Sequence, residues 1–146
     1  MDPPELTNFG SLVRFAIELE VATAAFYTTA AGLVGPGRYS ELARALAAQH
    51  EGRRGLLVRT RQQTLNEMVL EPITGLDGHR YVADAALASP SEVPAKAMAL
   101  EMAAVRLYEE SADVARSLLT EAARTFRKLA DENRRNLAAL RETFPR

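Results

Sequence analysis

The chain has 146 residues, enough for one domain with a sizeable core, and the whole of 1–146 reads as that single domain. Hydrophobic residues make up 47% against only 6% aromatic, with no tryptophan, a balance that favours helices over a β-sandwich. A net charge of −1 leaves no global field to draw in nucleic acid or an anionic membrane, and the lack of cysteine excludes disulfides, Cys-ligated zinc and iron–sulfur clusters.

No apolar run approaches the roughly 20 residues needed to span a bilayer. The start, Met1-Asp2-Pro3-Pro4-Glu5, lacks the basic and apolar regions of a signal peptide, so the expectation is a soluble cytoplasmic protein.

Four helices are predicted from the 3.6-residue periodicity. The first spans about 7–33 and stops at Gly32 and Gly35-Pro36-Gly37. The second starts near Ser40, with Glu41 in its first turn, and runs to about Leu70 before Pro72. Residues 71–91, with Pro72, Gly75, Gly78 and Pro90, read as irregular. The third begins at Ser89-Pro90-Ser91-Glu92, which has the form of a capping box with proline at its first position, and ends near Ser117. The fourth runs from Thr120 to about Thr143. Short links join the first helix to the second and the third to the fourth, whereas the middle link is long enough to travel the length of a bundle. The expected fold is therefore all-α: an antiparallel four-helix bundle made of two similar hairpins and a long crossover.

The hairpins carry a repeat. Phe15-Ala16-Ile17-Glu18-Leu19-Glu20 leads to Phe26-Tyr27, and Ala97-Met98-Ala99-Leu100-Glu101 leads to Leu107-Tyr108, so Glu101 and Tyr108 reproduce Glu20 and Tyr27 at a common offset of 81 positions. At about 100° per residue, a spacing of seven puts each glutamate and its tyrosine on nearly the same helical face. That face is otherwise apolar: Phe9, Val13, Ala16, Thr23, Ala24 and Ala31 surround Glu20, and Ala97, Met98, Ala104, Val105, Ala112 and Ala115 surround Glu101. Carboxylates in such settings are costly unless paired or bound to metal. The second helix has an apolar arc through Tyr39, Ala43, Leu46, Leu57, Thr64 and Met68, interrupted by His50 with Arg53 and Arg54 on its flanks. The fourth has Ala122, Phe126, Leu129, Leu137 and Leu140, interrupted by Asn133 and Asn136. Glu51 and Glu132 fall near the arc edges. Polar groups of all four helices thus converge on one level.

On these residues the chain resembles the rubrerythrin-like branch of the ferritin-like superfamily. The A-x-E-x-E…FY pattern stands at Ala16 to Tyr27 and Ala97 to Tyr108, and F-x-x-L-A followed by a polar stretch and a leucine at Phe126 to Leu140. The resemblance implies a ferritin-like bundle in which the first and third helices each give a glutamate, here Glu20 and Glu101, to a di-metal site, and the second and fourth each give a Glu-x-x-His pair. Those pairs fall on His50 and Arg53 and on Asn133 and Asn136, so neither is present, and the rubredoxin-like tail of full rubrerythrins is missing too.

A guanidinium cannot ligate a metal, and it compensates carboxylates where cations would otherwise sit. The leading expectation is therefore a metal-free, non-catalytic core in which Arg53, or Arg54 if the helix phase differs, pairs with Glu20 and Glu101. Asn133, Asn136, Tyr27 and Tyr108 satisfy the remaining hydrogen bonds, and the protein acts through protein contacts. The alternative is an oxidoreductase of the rubrerythrin type, acting on peroxide or oxygen through one iron or manganese ion held by Glu20, Glu101 and His50. His79 reads as a solvated loop residue. The apolar stretch 65–70 with Pro72 and Ile73 suggests a homodimer interface.

Overall fold

The computed structural model describes residues 6–64, 72–115 and 120–144. Four helices dominate: α1 (Phe9–Leu33), α2 (Arg38–Thr64), α3 (Val93–Ala115) and α4 (Thr120–Thr143). Among the described residues there is no strand, only an isolated antiparallel bridge between Asn8 and Pro72.

Asn8 sets the start of α1. Its Oδ1 accepts the Ser11 N–H at 2.7 Å, and Ser11 Oγ in turn accepts the Asn8 N–H at 3.2 Å, a reciprocal cap that answers two otherwise orphaned donors. The α1–α2 link turns at Gly35 (φ +76°) and Gly37 (φ +138°), backbone conformations that disfavour any side chain. Before α3, Pro90–Glu92 forms one 3-10 turn instead of extending the helix, and the Glu92 carboxylate accepts the Ser89 and Ala88 N–H groups, each at 2.8 Å. A second 3-10 turn, Gly78–Tyr81, breaks the stretch expected to be irregular.

The expected final turns of α2, residues 65–70, lie outside the described residues, and so does the core of the expected dimer surface. Ile73, assigned to that same surface, packs onto the core of its own chain.

α1 packs chiefly on α2, and α3 on α4. Side-chain pairings give the remaining directions. Glu20 meets Tyr108 while Tyr27 meets Glu101, so α1 and α3 run oppositely. α2 is antiparallel to α1 across a four-residue turn and therefore parallel to α3. The crossover must travel from one end of the bundle to the other, and its described part is pinned to α3. Tyr81, 1% exposed, lies beside Phe15 and donates to Glu110; Lys96 holds Asp84 and Glu92, each at 3.1 Å.

Two apolar clusters fill the interior. One gathers Phe9, Leu12, Leu57, Leu107 and Phe126; the other gathers Phe26, Leu46, Leu100 and Leu140. Full burial of each such side chain contributes roughly 1.5–3 kcal/mol. Between the clusters lies a layer of polar side chains, with Tyr108 on one side of it and Tyr27 on the other.

Candidate functional site

The layer takes one face from each helix. Glu20 and Glu101 project from α1 and α3 and are 3% and 0% exposed; His50 and Arg53 project from α2, and Asn133 and Asn136 from α4, all buried. His50 and Arg53, like Asn133 and Asn136, are three residues apart and so share a helix face.

At the centre is His50. Its Nδ1 lies 2.5 Å from Glu20 Oε2 and its Nε2 lies 2.7 Å from Glu101 Oε1. A neutral imidazole has one donor and one acceptor, and an acceptor nitrogen against a carboxylate oxygen is repulsive. The arrangement is satisfied when both nitrogens carry protons. Burial pushes the imidazole towards neutrality, but the hydrogen bonds to Glu101 and Glu20 and their charges outweigh it, and the pKa is raised to about 9. Burial likewise opposes ionisation of Glu101, yet the contacts with His50, Asn133 and Tyr27 win and hold its pKa below the ordinary carboxylate value.

Arg53 flanks this centre on the Glu20 side. Its Nη1 donates to Glu20 Oε1 at 3.3 Å and to Asn133 Oδ1 at 2.9 Å; its Nη2 donates to the Leu129 carbonyl at 3.4 Å and to Glu132 Oε1 at 3.2 Å. Its Nε is buried without a partner. The two tyrosines cross between hairpins: Tyr27 donates to Glu101 Oε1 at 2.9 Å, and Tyr108 to Glu20 Oε1 at 2.6 Å. Desolvation, with the nearby carboxylates, raises both phenols well above their usual pKa, so they remain neutral donors. Asn133 Nδ2 donates to Glu101 Oε2, while Asn136 Nδ2 reaches Gln49 Oε1 at 2.6 Å and both Glu101 oxygens at 3.3 and 3.4 Å.

Two corrections to the sequence reading follow. Arg53 does not bridge the two glutamates; that position belongs to His50. The imidazole is short enough to sit between α1 and α3, whereas the longer arginine passes Glu20 and spends its other donors on α4. Arg54 has no place in the network either: one residue on, about 100° around the helix, it is half-exposed and pairs with Glu51 at 3.0 Å. Glu51 stays outside, but Glu132 reaches in to Arg53. His79 is exposed in the crossover, 2.9 Å from Asp77. Gln49 was missed by the sequence reading, although it precedes His50 and so borders the same face.

These residues do not fit a dinuclear metal centre. Such a site sets about four carboxylates against two divalent cations. Here two carboxylates face an imidazole engaged through both nitrogens and a guanidinium that already supplies fixed positive charge. Among the described residues, no group of three or more His, Asp or Glu side chains is arranged to hold a metal ion. Little space lies beside the layer: next to Glu20, between Thr23, Tyr81 and Tyr108, a cavity of about 20 Å³ has room for about one water molecule. Chemically, the layer can hold two carboxylates charged and rigid by surrounding them with donors.

Fold and layer together define an all-helical bundle with a charge-compensated polar layer through its core. No protein-family model and no curated protein sequence matches the chain. Among solved structures it is similar to a hypothetical protein from Pyrococcus furiosus, with a TM-score of 0.72 over 90% of this chain and 85% of that one at 20% identity. At that identity the likeness concerns the fold alone. No helix of the described residues is long and apolar enough to cross a membrane.

Proposed function

We propose that this is a ferritin-like bundle of the rubrerythrin type in which two side-chain cations have taken the place of the metals, and that it works as a non-catalytic, protein-binding module. The opposite running of α1 and α3, the full-length crossover and the 81-residue repeat all support the ferritin-like topology. One observation carries the functional reading: His50 lies between Glu20 and Glu101 with a hydrogen bond from each ring nitrogen. Within the layer His50 and Arg53 stand against Glu20 and Glu101, with Glu132 at the outer side of Arg53, so an added divalent cation would enter against two fixed positive charges. Nothing in the layer offers an activated nucleophile, and an imidazole with a pKa near 9 is a poor general base at neutral pH.

The test is metal content. Protein purified without chelator is expected to hold iron, manganese and zinc far below one ion per chain, with the same value for Glu20→Ala and unchanged thermal stability in EDTA. Stoichiometric metal that disappears in Glu20→Ala would overturn the reading in favour of a single ion held by Glu20, Glu101 and His50.

A further inference from the structure

The outer face of the α3–α4 hairpin carries a groove of about 360 Å³. Met102, 48% exposed, Val105 and Leu137 form its apolar floor. One end is closed by the ion pair between Glu109 and Arg134; the other end opens between Met102 and Arg141. From 102 to 109 on α3, and from 134 to 141 on α4, the groove runs about 10 Å, the length of two helical turns. A methionine left half in water over an apolar floor is the adaptable kind of side chain that binding surfaces use.

The walls give the sign of the partner. Arg134 is neutralised by Glu109 and Asp131. Arg106, on the α3 wall, donates to the Arg80 carbonyl at 2.8 Å and has no carboxylate partner among the described residues; Arg141, on the α4 wall, likewise has none. The apolar strip thus has one uncompensated cation on each side. This geometry fits an amphipathic helix with apolar residues at i, i+3 or i+4 and i+7, and acidic residues on both flanks. A second copy of the chain fits poorly, since a two-fold contact here would bring Arg106 and Arg141 against their own like charges. A small ligand would need a more enclosed pocket than this open trough.

We infer that the α3–α4 groove is a docking surface for an acidic amphipathic helix of a protein partner. This rests on the non-catalytic reading and supplies its binding site. Seating only two turns, the groove holds such a helix weakly and reversibly, with a Kd on the order of 10 μM.

The experiment is fluorescence polarisation on the intact protein with a labelled amphipathic peptide, leucines at i, i+4 and i+7 flanked by glutamates, and its twin with lysines in place of the glutamates. The acidic peptide is expected to bind and the basic twin to bind at least about tenfold more weakly. Met102→Glu and Arg141→Glu, both at exposed positions, are each expected to weaken the acidic peptide about tenfold or more. Val21→Glu is expected to leave it unchanged: Val21 is similarly exposed (45%) and stands 81 positions before Met102 on the other hairpin. No binding, equal binding of both peptides, or indifference to both groove variants overturns the inference. Self-association that Met102→Glu abolishes overturns it too, in favour of a second copy. Metal content measured on the same samples separates the two claims: metal-free protein that fails to bind refutes only the groove, whereas stoichiometric metal refutes the non-catalytic reading.

Discussion

Replacing His50 with alanine is expected to destabilise the protein by about 3–5 kcal/mol, the range for removing one partner of a buried ion pair. Glu20 and Glu101, 3% and 0% exposed, would lose the cation between them and face each other across the gap it leaves. For a chain of this length that is a fall in Tm on the order of 10 °C. Neutralising one carboxylate should recover part of the loss: Glu20→Gln combined with His50→Ala is expected to be less destabilised than the sum of the single changes, because the two sites share one interaction. Urea unfolding monitored by circular dichroism gives all four corners of the cycle. A loss below about 1 kcal/mol, or strict additivity, would mean that His50 is not the cation on which the layer depends.

The same contacts set a pH dependence. The pKa of His50 is raised in the folded protein to about 9 from an ordinary value of 6.5. A raised basic group contributes stability that is fully present below the unfolded value and lost as pH rises through the folded one, so stability should decline from about pH 6.5 to 9. The integrated change is on the order of 3 kcal/mol. The pKa of Glu101 is shifted down from 4.5, so its contribution is present above that value and lost as pH falls through the lower, folded one. Maximal stability is therefore expected between about pH 4.5 and 6.5, more acidic than neutrality. Urea midpoints across pH 4 to 10 check this, with His50→Gln as the control in which the alkaline decline should flatten. A midpoint that is level from pH 6 to 9 would contradict the assignment of a buried imidazolium.

Much of the layer could be read from helical phase alone. Glu20, His50, Glu101, Asn133 and Asn136 each interrupt an apolar arc, and each is buried in the structure. The first hairpin followed from the Gly35-Pro36-Gly37 punctuation, the second from the shortness of its link, and the long middle link from the spacing of the helices. Phase alone did not choose between Arg53 and Arg54: at about 100° per residue they lie on opposite flanks of His50, and contact with α4 draws Arg53 inward. Which cation would span the two glutamates was not legible. That depends on how closely α1, α2 and α3 approach, a distance that periodicity does not carry. The crossed tyrosine pairing was hidden for a related reason: Tyr27 and Glu20 share a face but lie two turns apart, so each tyrosine finds the glutamate of the opposite hairpin. The turn at Gly78–Tyr81 was missed because its anchor, the buried Tyr81, is tertiary: it lies beside Phe15 and donates to Glu110. The end of the fourth helix, by contrast, agrees at Thr143.

A dinuclear centre balances buried carboxylates with metal charge; this chain balances two carboxylates with His50 and Arg53 and answers their remaining lone pairs with two tyrosines and two asparagines. The bundle keeps a fixed polar register between two apolar halves.

The most direct test of that substitution is the protonation of His50 itself. The chain has only two histidines, so His79→Gln leaves one imidazole to observe. Nitrogen-15 NMR of that variant at pH 7.5 is expected to show both ring nitrogens protonated, with two ring N–H protons strongly downfield and protected from exchange. A ring with one bare nitrogen, or a nitrogen shifted by a bound metal ion, would contradict the claim that an imidazolium joins Glu20 to Glu101.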